Sequence, residues 1–306
     1  MRRVCIIGLM GALLFPVFLQ AKENRDAYQV DTATWNEAMD IYRAPKPENL
    51  VFPTQNPEAQ WFPKAGLGLF MHWGIHSVDG IDPSWSLIKG CPWHNPDTEY
   101  EKYWSDRSRY YQLASQFNPS NYDPDPWMAA AQKAGFQYAV LTTKHHDGYA
   151  LWPSQFGNLS TRQFMNGRDL LRPYVAACRK YGIKVGFYFS PRDWHYPGYT
   201  VNFTYGEQYD LSGISPEENE KNFQRFFAYT IGQLKELLTR YGKIDVLWFD
   251  GMGWDGISDT KEGQTLNWVR TLQPGIVINP RWSGNGDFKT TECQTGQPEG
   301  YRYGEW

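Results

Sequence analysis

The segment Tyr-Ala-Val-Leu-Thr-Thr-Lys-His-His-Asp-Gly, residues 138–148, decides the fold class of this chain. Its first half is apolar and rich in residues that favour strands, and it then ends at charged and polar side chains. A buried strand does not need such residues at its end. The pattern therefore indicates a strand whose carboxyl end carries functional groups.

Three further stretches have the same form: Gly-Leu-Phe-Met-His-Trp-Gly (68–74), Gly-Phe-Tyr-Phe-Ser-Pro (186–191) and Val-Leu-Trp-Phe-Asp-Gly (246–251). Helical patterns separate them, and one begins at the capping box Ser215-Pro216-Glu217-Glu218. Alternating strands and helices predict a parallel sheet with covering helices. Reactive side chains at the strand carboxyl ends favour an irregular (β/α)8-like TIM barrel.

The strand count predicts an incomplete barrel. Five strands are predicted: Gly66–His72, Tyr138–Lys144, Lys184–Ser190, Ile244–Asp250 and Ile276–Asn279. A possible sixth strand lies near 288–292. Because a closed barrel needs about eight strands, we expect residues 22–306 to be the N-terminal portion of a longer catalytic domain. Residues 22–60 are predicted to be a polar segment packed around the domain, and 75–123 a long irregular loop.

Composition limits the class of ligand. The chain has 306 residues and a formal charge of −3, so it carries no sign of a nucleic-acid surface. It contains 14 Trp, 20 Tyr and 17 Phe. Aromatic faces with polar edges suit carbohydrate, although they also fill large cores.

The first residues match an export signal. Arg2 and Arg3 precede an apolar run over 5–19, and Leu19-Gln20-Ala21 fits a cleavage site. Residues 1–21 are therefore predicted to be a signal peptide, with the mature protein periplasmic or extracellular. The alternative, an uncleaved membrane anchor, is disfavoured because the run is short for a membrane span.

Asp250 is the strongest candidate for chemistry because a carboxylate at the end of a buried strand costs free energy unless it is paired or used. The alternative is that Asp250 caps the following segment. Glu292 is the best partner, with Glu299 and Glu305 as rivals. Two carboxylates from separate strand ends are what glycoside hydrolysis requires.

Histidines follow two of the predicted strands. His72 ends the first, and His145 and His146 end the second. Adjacent residues of an extended segment point to opposite sides, so we expect no shared metal site and favour polar contacts to a substrate. Arg281 follows the fifth strand, where it would bind a sugar hydroxyl or a carboxylate, or form a surface ion pair.

Taken together, these motifs resemble the α-L-fucosidases of glycoside hydrolase family 29. The resemblance rests on Trp61-Phe62, on 68–74, on 138–148 with Leu151-Trp152, on 186–191 with Asp193-Trp194, and on 247–251, in that order. It implies a retaining exo-hydrolase that removes terminal α-L-fucose from a fucosylated oligosaccharide or glycoprotein glycan. It also implies a (β/α) barrel followed by a β-sandwich, and no metal or organic cofactor.

The resemblance also implies roles for residues. Asp250 matches the nucleophile and Glu292 the acid/base. The residues that would bind the sugar are His72, Trp85, His145, His146, Tyr188, Trp248 and Arg281. One position departs from the family, because many members have Glu where this chain has Ser84.

Two alternatives remain open from the sequence. One is a non-catalytic sugar-binding protein or a decayed remnant of a fucosidase. The other keeps the fold and acts on a related sugar such as an α-L-galactoside.

Overall fold

The computed structural model describes residues 26–88, 100–197, 215–251, 262–282 and 284–290, and the structural statements below concern these residues. The strands are β1 (Gly68–Met71), β2 (Tyr138–Lys144), β3 (Lys184–Phe189), β4 (Val246–Phe249) and β5 (Val277–Ile278). The helices are α1 (Thr32–Arg43), α2 (Glu101–Trp104), α3 (Arg107–Gln116), α4 (Asp125–Lys133), α5 (Thr161–Phe164), α6 (Leu171–Lys180), α7 (Pro216–Arg240) and α8 (Glu262–Leu272).

The five strands form one parallel sheet in the order β1-β2-β3-β4-β5. Each strand pairs with the next one along the chain, so the carboxyl ends of all five meet at one edge. This winding is that of a (β/α) barrel. Within the described ranges β1 and β5 lie at the two edges of the sheet, which is not closed. The prediction of an α/β parallel sheet is confirmed.

Alternation along the strands separates two apolar layers. One face of the sheet packs into the main core with the helices, through residues such as Leu141, Phe187 and Leu247. The other face carries a smaller cluster of Val140, Tyr188 and Val246, against which Trp61, Phe62, Tyr138 and Trp248 pack. Tyr188 and Trp248 therefore lie on the inner face of the sheet.

The outer edge of β5 is covered by a buried carboxylate. Asp287 accepts hydrogen bonds from the backbone N–H groups of Ile278 and Thr54, both at 2.7 Å. Arg270 of α8 neutralises it through a 2.6 Å contact to Oδ1. This one side chain thus ties the segment before β1 to the last described strand.

The structure corrects two sequence predictions. The 22–60 segment contains α1, which packs against α7 and α8 and is capped by Asp31, whose Oδ1 accepts from Thr34 N at 2.8 Å. The 75–123 stretch contains α2 and α3. The helices of the 75–123 stretch were missed because α2 is short and α3 is polar, and α1 was missed because its burial depends on partners distant in the chain. Residues 288–290 form no strand, and the rest of the predicted sixth strand lies outside the described residues.

The predicted signal peptide, residues 1–21, also lies outside the described residues. Among the helices that are described, none combines the length and apolar character needed to span a membrane.

Gly186 in the central strand β3 offers a test of the sheet. A Cβ at this position would lie 2.6 Å from Ala139 O and 2.8 Å from Val140 Cγ2. We expect Gly186→Ala to lower the free energy of unfolding by about 1–3 kcal/mol because the neighbouring strand must move. Urea denaturation followed by circular dichroism would measure the change.

Gly263→Ala in α8 is the matched control. A Cβ there would make only ordinary contacts with Pro47 and Leu50, at 3.4 Å or more. Alanine is the better helix former, so stability should be unchanged or higher. Equal destabilisation by both substitutions would contradict the packing described for β2 and β3.

Candidate active site

Side chains from four strand ends meet at the carboxyl edge of the sheet. His72 follows β1, His145 and His146 follow β2, Tyr188 lies near the end of β3, and Asp250 follows β4. The rings of His72 and His145 both contact Tyr188, with ring centroids 4.9 and 5.4 Å away. The structure therefore brings these predicted site residues together.

The Asp250 carboxylate is the electrostatic centre of this cluster. Its Oδ2 accepts from the Tyr188 hydroxyl at 2.6 Å, and its Oδ1 accepts from Arg281 Nη1 at 2.7 Å. The N–H of Gly251 donates to the same Oδ1 at 2.9 Å. The side chain is 20% exposed, so it is partly buried but open to a ligand. Arg281 is thus an ion-pair partner within the site.

These contacts set the protonation state of Asp250. Burial alone would raise the pKa of its carboxyl group. The hydrogen bond from Tyr188 and the Arg281 guanidinium outweigh that effect and hold the pKa below its usual value. Asp250 is therefore ionised at neutral pH.

Asn279 holds the end of β4, where Asp250 follows. Its Oδ1 accepts from Phe249 N and its Nδ2 donates to Phe249 O, both at 2.8 Å. Asn279 is fully buried directly after β5. Its amide therefore continues the pairing of β4 beyond the last residue of β5 and fixes the backbone that carries Asp250.

The two adjacent histidines lie on the same side of the chain, and the sequence prediction that they point to opposite sides is wrong. Strand β2 shifts register between Thr142 and Lys144 and ends there, so His145 and His146 occupy a bend. Their ring centroids are 4.2 Å apart. A shift of this kind re-aims side chains, as β-bulges near active sites do.

Each of these histidines is held by a serine. His145 Nδ1 lies 2.6 Å from Ser84 Oγ, and His146 Nδ1 lies 2.6 Å from Ser190 Oγ. Burial lowers the pKa of both rings well below the usual histidine value. Both imidazoles are therefore neutral at neutral pH. Burial also lowers the pKa of His72, whose Nδ1 lies 2.9 Å from Thr142 Oγ1.

Ser84 has a strained backbone at this position. Its φ is 63° and its ψ is −37°, and Trp85 N donates to Pro83 O at 2.7 Å across it, which makes a γ-turn. Such a conformation costs on the order of 1–3 kcal/mol for a residue with a side chain. Tyr110 contributes to holding it, because Ser84 N donates to the Tyr110 hydroxyl at 3.0 Å.

A buried ion pair supports the site from behind. Lys144 Nζ lies 3.3 Å from Asp193 Oδ2 and donates to Gln233 Oε1 of α7 at 2.9 Å. The Tyr229 hydroxyl donates to the same Asp193 oxygen at 2.7 Å. Burial lowers the pKa of Lys144, and the Asp193 carboxylate opposes that effect. The pair anchors the turn after β3 to α7.

Tryptophans form the walls of the site. Trp85 packs edge-on against His146, with centroids 5.4 Å apart, and against Trp194 at 5.5 Å. The Trp194 ring also contacts His146 at 5.2 Å, and the backbone N–H of Trp194 donates to His146 O at 2.7 Å. Trp248 lies deeper on the inner face and contacts Phe70, whose ring reaches Tyr188.

The predicted acid/base, Glu292, lies outside the described residues, as do its rivals Glu299 and Glu305. The description of the site is therefore limited to one carboxylate of the expected pair, and the assignment of Glu292 stays a prediction.

One group of side chains could offer atoms to a metal ion. His145, His146 and Asp250 each place one potential ligand atom within 4.8 Å of the others. Both Asp250 oxygens already accept hydrogen bonds, and the Arg281 cation is in contact with one of them. A divalent ion would have to displace or face that positive charge, so the group fits a polar ligand better than a cation.

Sequence reasoning missed Ser190, Trp194, Lys144 and Asp193 as parts of the site. Lys144 and Ser190 are the last residues of two predicted strands, which was the available signal. Their roles depend on side-chain direction, which the sequence pattern alone does not give. Ser84 was noticed as a departure from a family pattern, but its contact with His145 was not foreseen.

An ionised carboxylate among histidines and tryptophans lies at the carboxyl edge of this barrel-type parallel sheet, where barrel enzymes carry their active sites. The family model described as Alpha-L-fucosidase matches residues 38–306. The chain belongs to the α-L-fucosidase family, glycoside hydrolase family 29.

Curated relatives agree with this assignment. The tissue alpha-L-fucosidase of Rattus norvegicus is 30% identical over 241 residues, which cover 75% of this chain and 48% of the rat protein. That of Homo sapiens is 31% identical and covers 75% of this chain and 47% of the human protein. The chain thus spans about half the length of the curated relatives that it matches.

Solved structures show the same fold. Alpha-L-fucosidase isoenzyme 1 from Paenibacillus thiaminolyticus is 34% identical with a TM-score of 0.60, over 76% of this chain and 54% of that one. A family 29 enzyme from Bacteroides thetaiotaomicron, trapped as a covalent intermediate, is 29% identical with a TM-score of 0.63, over 78% and 55%. These relatives have a (β/α)8 catalytic domain.

Arg281→Gln tests the electrostatics of the site. Removing the guanidinium takes away one of the groups that oppose burial, so the pKa of Asp250 should rise. The carboxyl resonance of Asp250, assigned with Asp250→Asn and followed by ¹³C NMR through an acid titration, would measure this. Arg281→Lys keeps the positive charge and should shift the pKa less.

The sign of the accompanying stability change follows from the lowered pKa. Stability contributed by ionised Asp250 is present above the pKa of an unfolded aspartate and is lost as pH falls through the lowered folded value. In Arg281→Gln the folded pKa of Asp250 lies closer to the unfolded one, so the loss should be smaller and should be complete at a higher pH. An unchanged Asp250 titration in this variant would contradict the described ion pair.

Proposed function

We propose that the protein is a retaining exo-α-L-fucosidase that removes terminal α-L-fucose from fucosylated glycans. The observation that carries the proposal is the ionised Asp250 carboxylate between Tyr188 and Arg281, in a pocket of neutral histidines and tryptophans. Membership of the α-L-fucosidase family supports the choice of sugar. The related enzyme from Bacteroides thetaiotaomicron has been trapped as a covalent intermediate.

In the proposed first step, Asp250 attacks the anomeric carbon and the bond to the leaving oxygen breaks. Glu292, protonated, gives its proton to that oxygen. The lowered pKa of Asp250 keeps it ionised for attack. In the second step Glu292 takes a proton from water, the water oxygen bonds to the anomeric carbon, and Asp250 leaves as a carboxylate. A low pKa also makes Asp250 a good leaving group in this step.

The other site residues are proposed to bind the sugar or to hold the nucleophile in place. His72, His145 and His146 offer ring nitrogens for the hydroxyls, and the Tyr188 and Arg281 side chains hold the nucleophile in place. Trp85 and Trp194 supply apolar faces beside His146. Trp248, which packs deeper against Phe70, supports Tyr188 from the inner face.

Asp250→Asn tests the nucleophile. The substitution preserves shape and removes the negative charge, so we expect release of the aryl group from an aryl α-L-fucoside to fall by at least about 10³-fold. Glu58→Gln is the control, because Glu58 pairs with Lys243 at the exposed, opposite end of β4 and should leave the rate unchanged.

Glu292→Ala tests the acid/base. With a good leaving group, added azide should restore turnover because it replaces the water that Glu292 would activate.

Unchanged activity in Asp250→Asn would contradict the proposal. Binding of L-fucose without turnover by the wild-type chain would instead favour the sugar-binding alternative, and faster release from an aryl α-L-galactoside would favour the other sugar.

We also propose export with cleavage after Ala21, which the basic residues Arg2 and Arg3 and the apolar run at 5–19 support. Mass spectrometry of the secreted protein's N-terminus would test it. A mature chain that retains residues 1–21 would contradict it.

A further inference from the structure

A neutral histidine carries its proton on only one of its two ring nitrogens, and the hydrogen-bond partners decide which. The His145 and His146 rings are buried and neutral. Whether each ring offers a ligand a hydrogen-bond donor or an acceptor therefore depends on its tautomer. The tautomers follow from the groups around the serine partners, Ser84 for His145 and Ser190 for His146.

The surroundings of Ser84 determine the tautomer of His145. Ser84 Oγ accepts from Asp147 N at 2.8 Å and lies 2.6 Å from His145 Nδ1. In the described part of the chain, His145 Nδ1 is the acceptor within reach of the Ser84 proton. If Nδ1 were protonated, this buried hydroxyl would receive two donors and have nowhere to donate. The Ser84 hydroxyl therefore donates to Nδ1, and His145 is protonated on Nε2.

The surroundings of Ser190 give the opposite result for His146. Ser190 Oγ lies 2.6 Å from His146 Nδ1 and 3.0 Å from Arg192 O. A carbonyl oxygen can only accept, so the serine proton goes to Arg192 and His146 Nδ1 must donate. His146 Nε2 then carries a lone pair. It lies 3.8 Å from Asp250 Oδ2, a separation expected between two acceptors.

We propose that Ser84 and Ser190 are positioning residues that hold His145 and His146 in opposite tautomers. The site then presents an N–H donor at His145 Nε2 next to a nitrogen acceptor at His146 Nε2. Such a pair matches a single hydroxyl group that accepts from one ring and donates to the other. The sugar-reading part of this inference rests on the proposed function, whereas the tautomers do not.

The third histidine follows the same logic and enlarges the pattern. Thr142 Oγ1 donates to Met71 O at 3.0 Å, so it accepts from His72 Nδ1, and His72 Nε2 carries a lone pair. The His145 ring contacts both His72 and His146. One donor thus lies between two acceptors, an arrangement that suits neighbouring hydroxyls of a pyranose.

Histidine ring ¹H–¹⁵N NMR spectra at neutral pH would test the assignment directly, because the two neutral tautomers give different nitrogen shifts. The chain has six histidines, and His145→Gln and His146→Gln identify the two signals. We expect Nε2–H for His145 and Nδ1–H for His146. The same tautomer on both rings would overturn the proposal.

Ser84→Ala and Ser190→Ala serve as each other's controls. Each should remove the tautomer preference of its own histidine and leave the other unchanged. Ser84→Gly separates the hydroxyl from the strained backbone, because glycine accepts a φ of 63°. If the hydroxyl is responsible, Ser84→Gly and Ser84→Ala give the same His145 spectrum. A wild-type spectrum in any of these three variants would overturn the proposal.

Titration calorimetry with L-fucose tests what the tautomers do. Ser190→Ala should weaken binding at least about twofold, because about half of the His146 rings would then carry an N–H at Nε2 facing a hydroxyl that needs an acceptor. Among the monodeoxyfluoro derivatives of L-fucose, one should bind the wild type more weakly than L-fucose does. Its fluorine cannot donate the hydrogen bond that His146 Nε2 would accept from the hydroxyl. If the wild type shows opposite tautomers and does not bind L-fucose, the sugar-reading role is wrong and the tautomer assignment stands.

Discussion

Lys144 carries a fully buried ammonium group. The ion pair and hydrogen bond that this group requires determine how the rest of the site is arranged. The register shift that follows Thr142 turns the Lys144 side chain to Asp193 and Gln233 rather than into the pocket. The chain bends immediately afterwards, and so the two following histidines face the same space. Asp193 Oδ1 in turn accepts hydrogen bonds from the backbone N–H groups of His195 and Tyr196, both at 3.1 Å. These bonds fix the turn that carries Trp194.

The polar groups of the site are divided between two regions with different electrostatics. Behind the sheet edge, Lys144 and Asp193 neutralise each other where no solvent reaches. At the open side, Asp250 keeps its charge because Tyr188 and Arg281 replace the water that burial removes. The histidines between the two regions are neutral. Among the described residues of the pocket, negative charge is therefore concentrated on Asp250, with the Arg281 cation beside it.

Much of this arrangement could be predicted from the sequence, since parallel strands bring their carboxyl ends to one edge. That rule alone placed His72, Tyr188 and Asp250 together. It failed for His145 and His146, because the strand rule of alternation does not hold across a register shift. It could not foresee Ser84, which reaches His145 from a γ-turn 61 residues away in sequence. Helix α1 was missed because its burial depends on partners distant in the chain.

Gly148 shows how tightly the rest of the chain constrains the segment 138–148. Its φ is 87°, and a Cβ there would lie 2.3 Å from Asp193 Oδ1. The three residues before it bind Ser84, Ser190 and Tyr110 respectively. Four consecutive positions thus contact three parts of the chain, since Ser190 and Asp193 both belong to the turn after β3. The shape of the pocket would therefore be easier to change at its tryptophan walls, because each change in this segment would need a compensating change elsewhere.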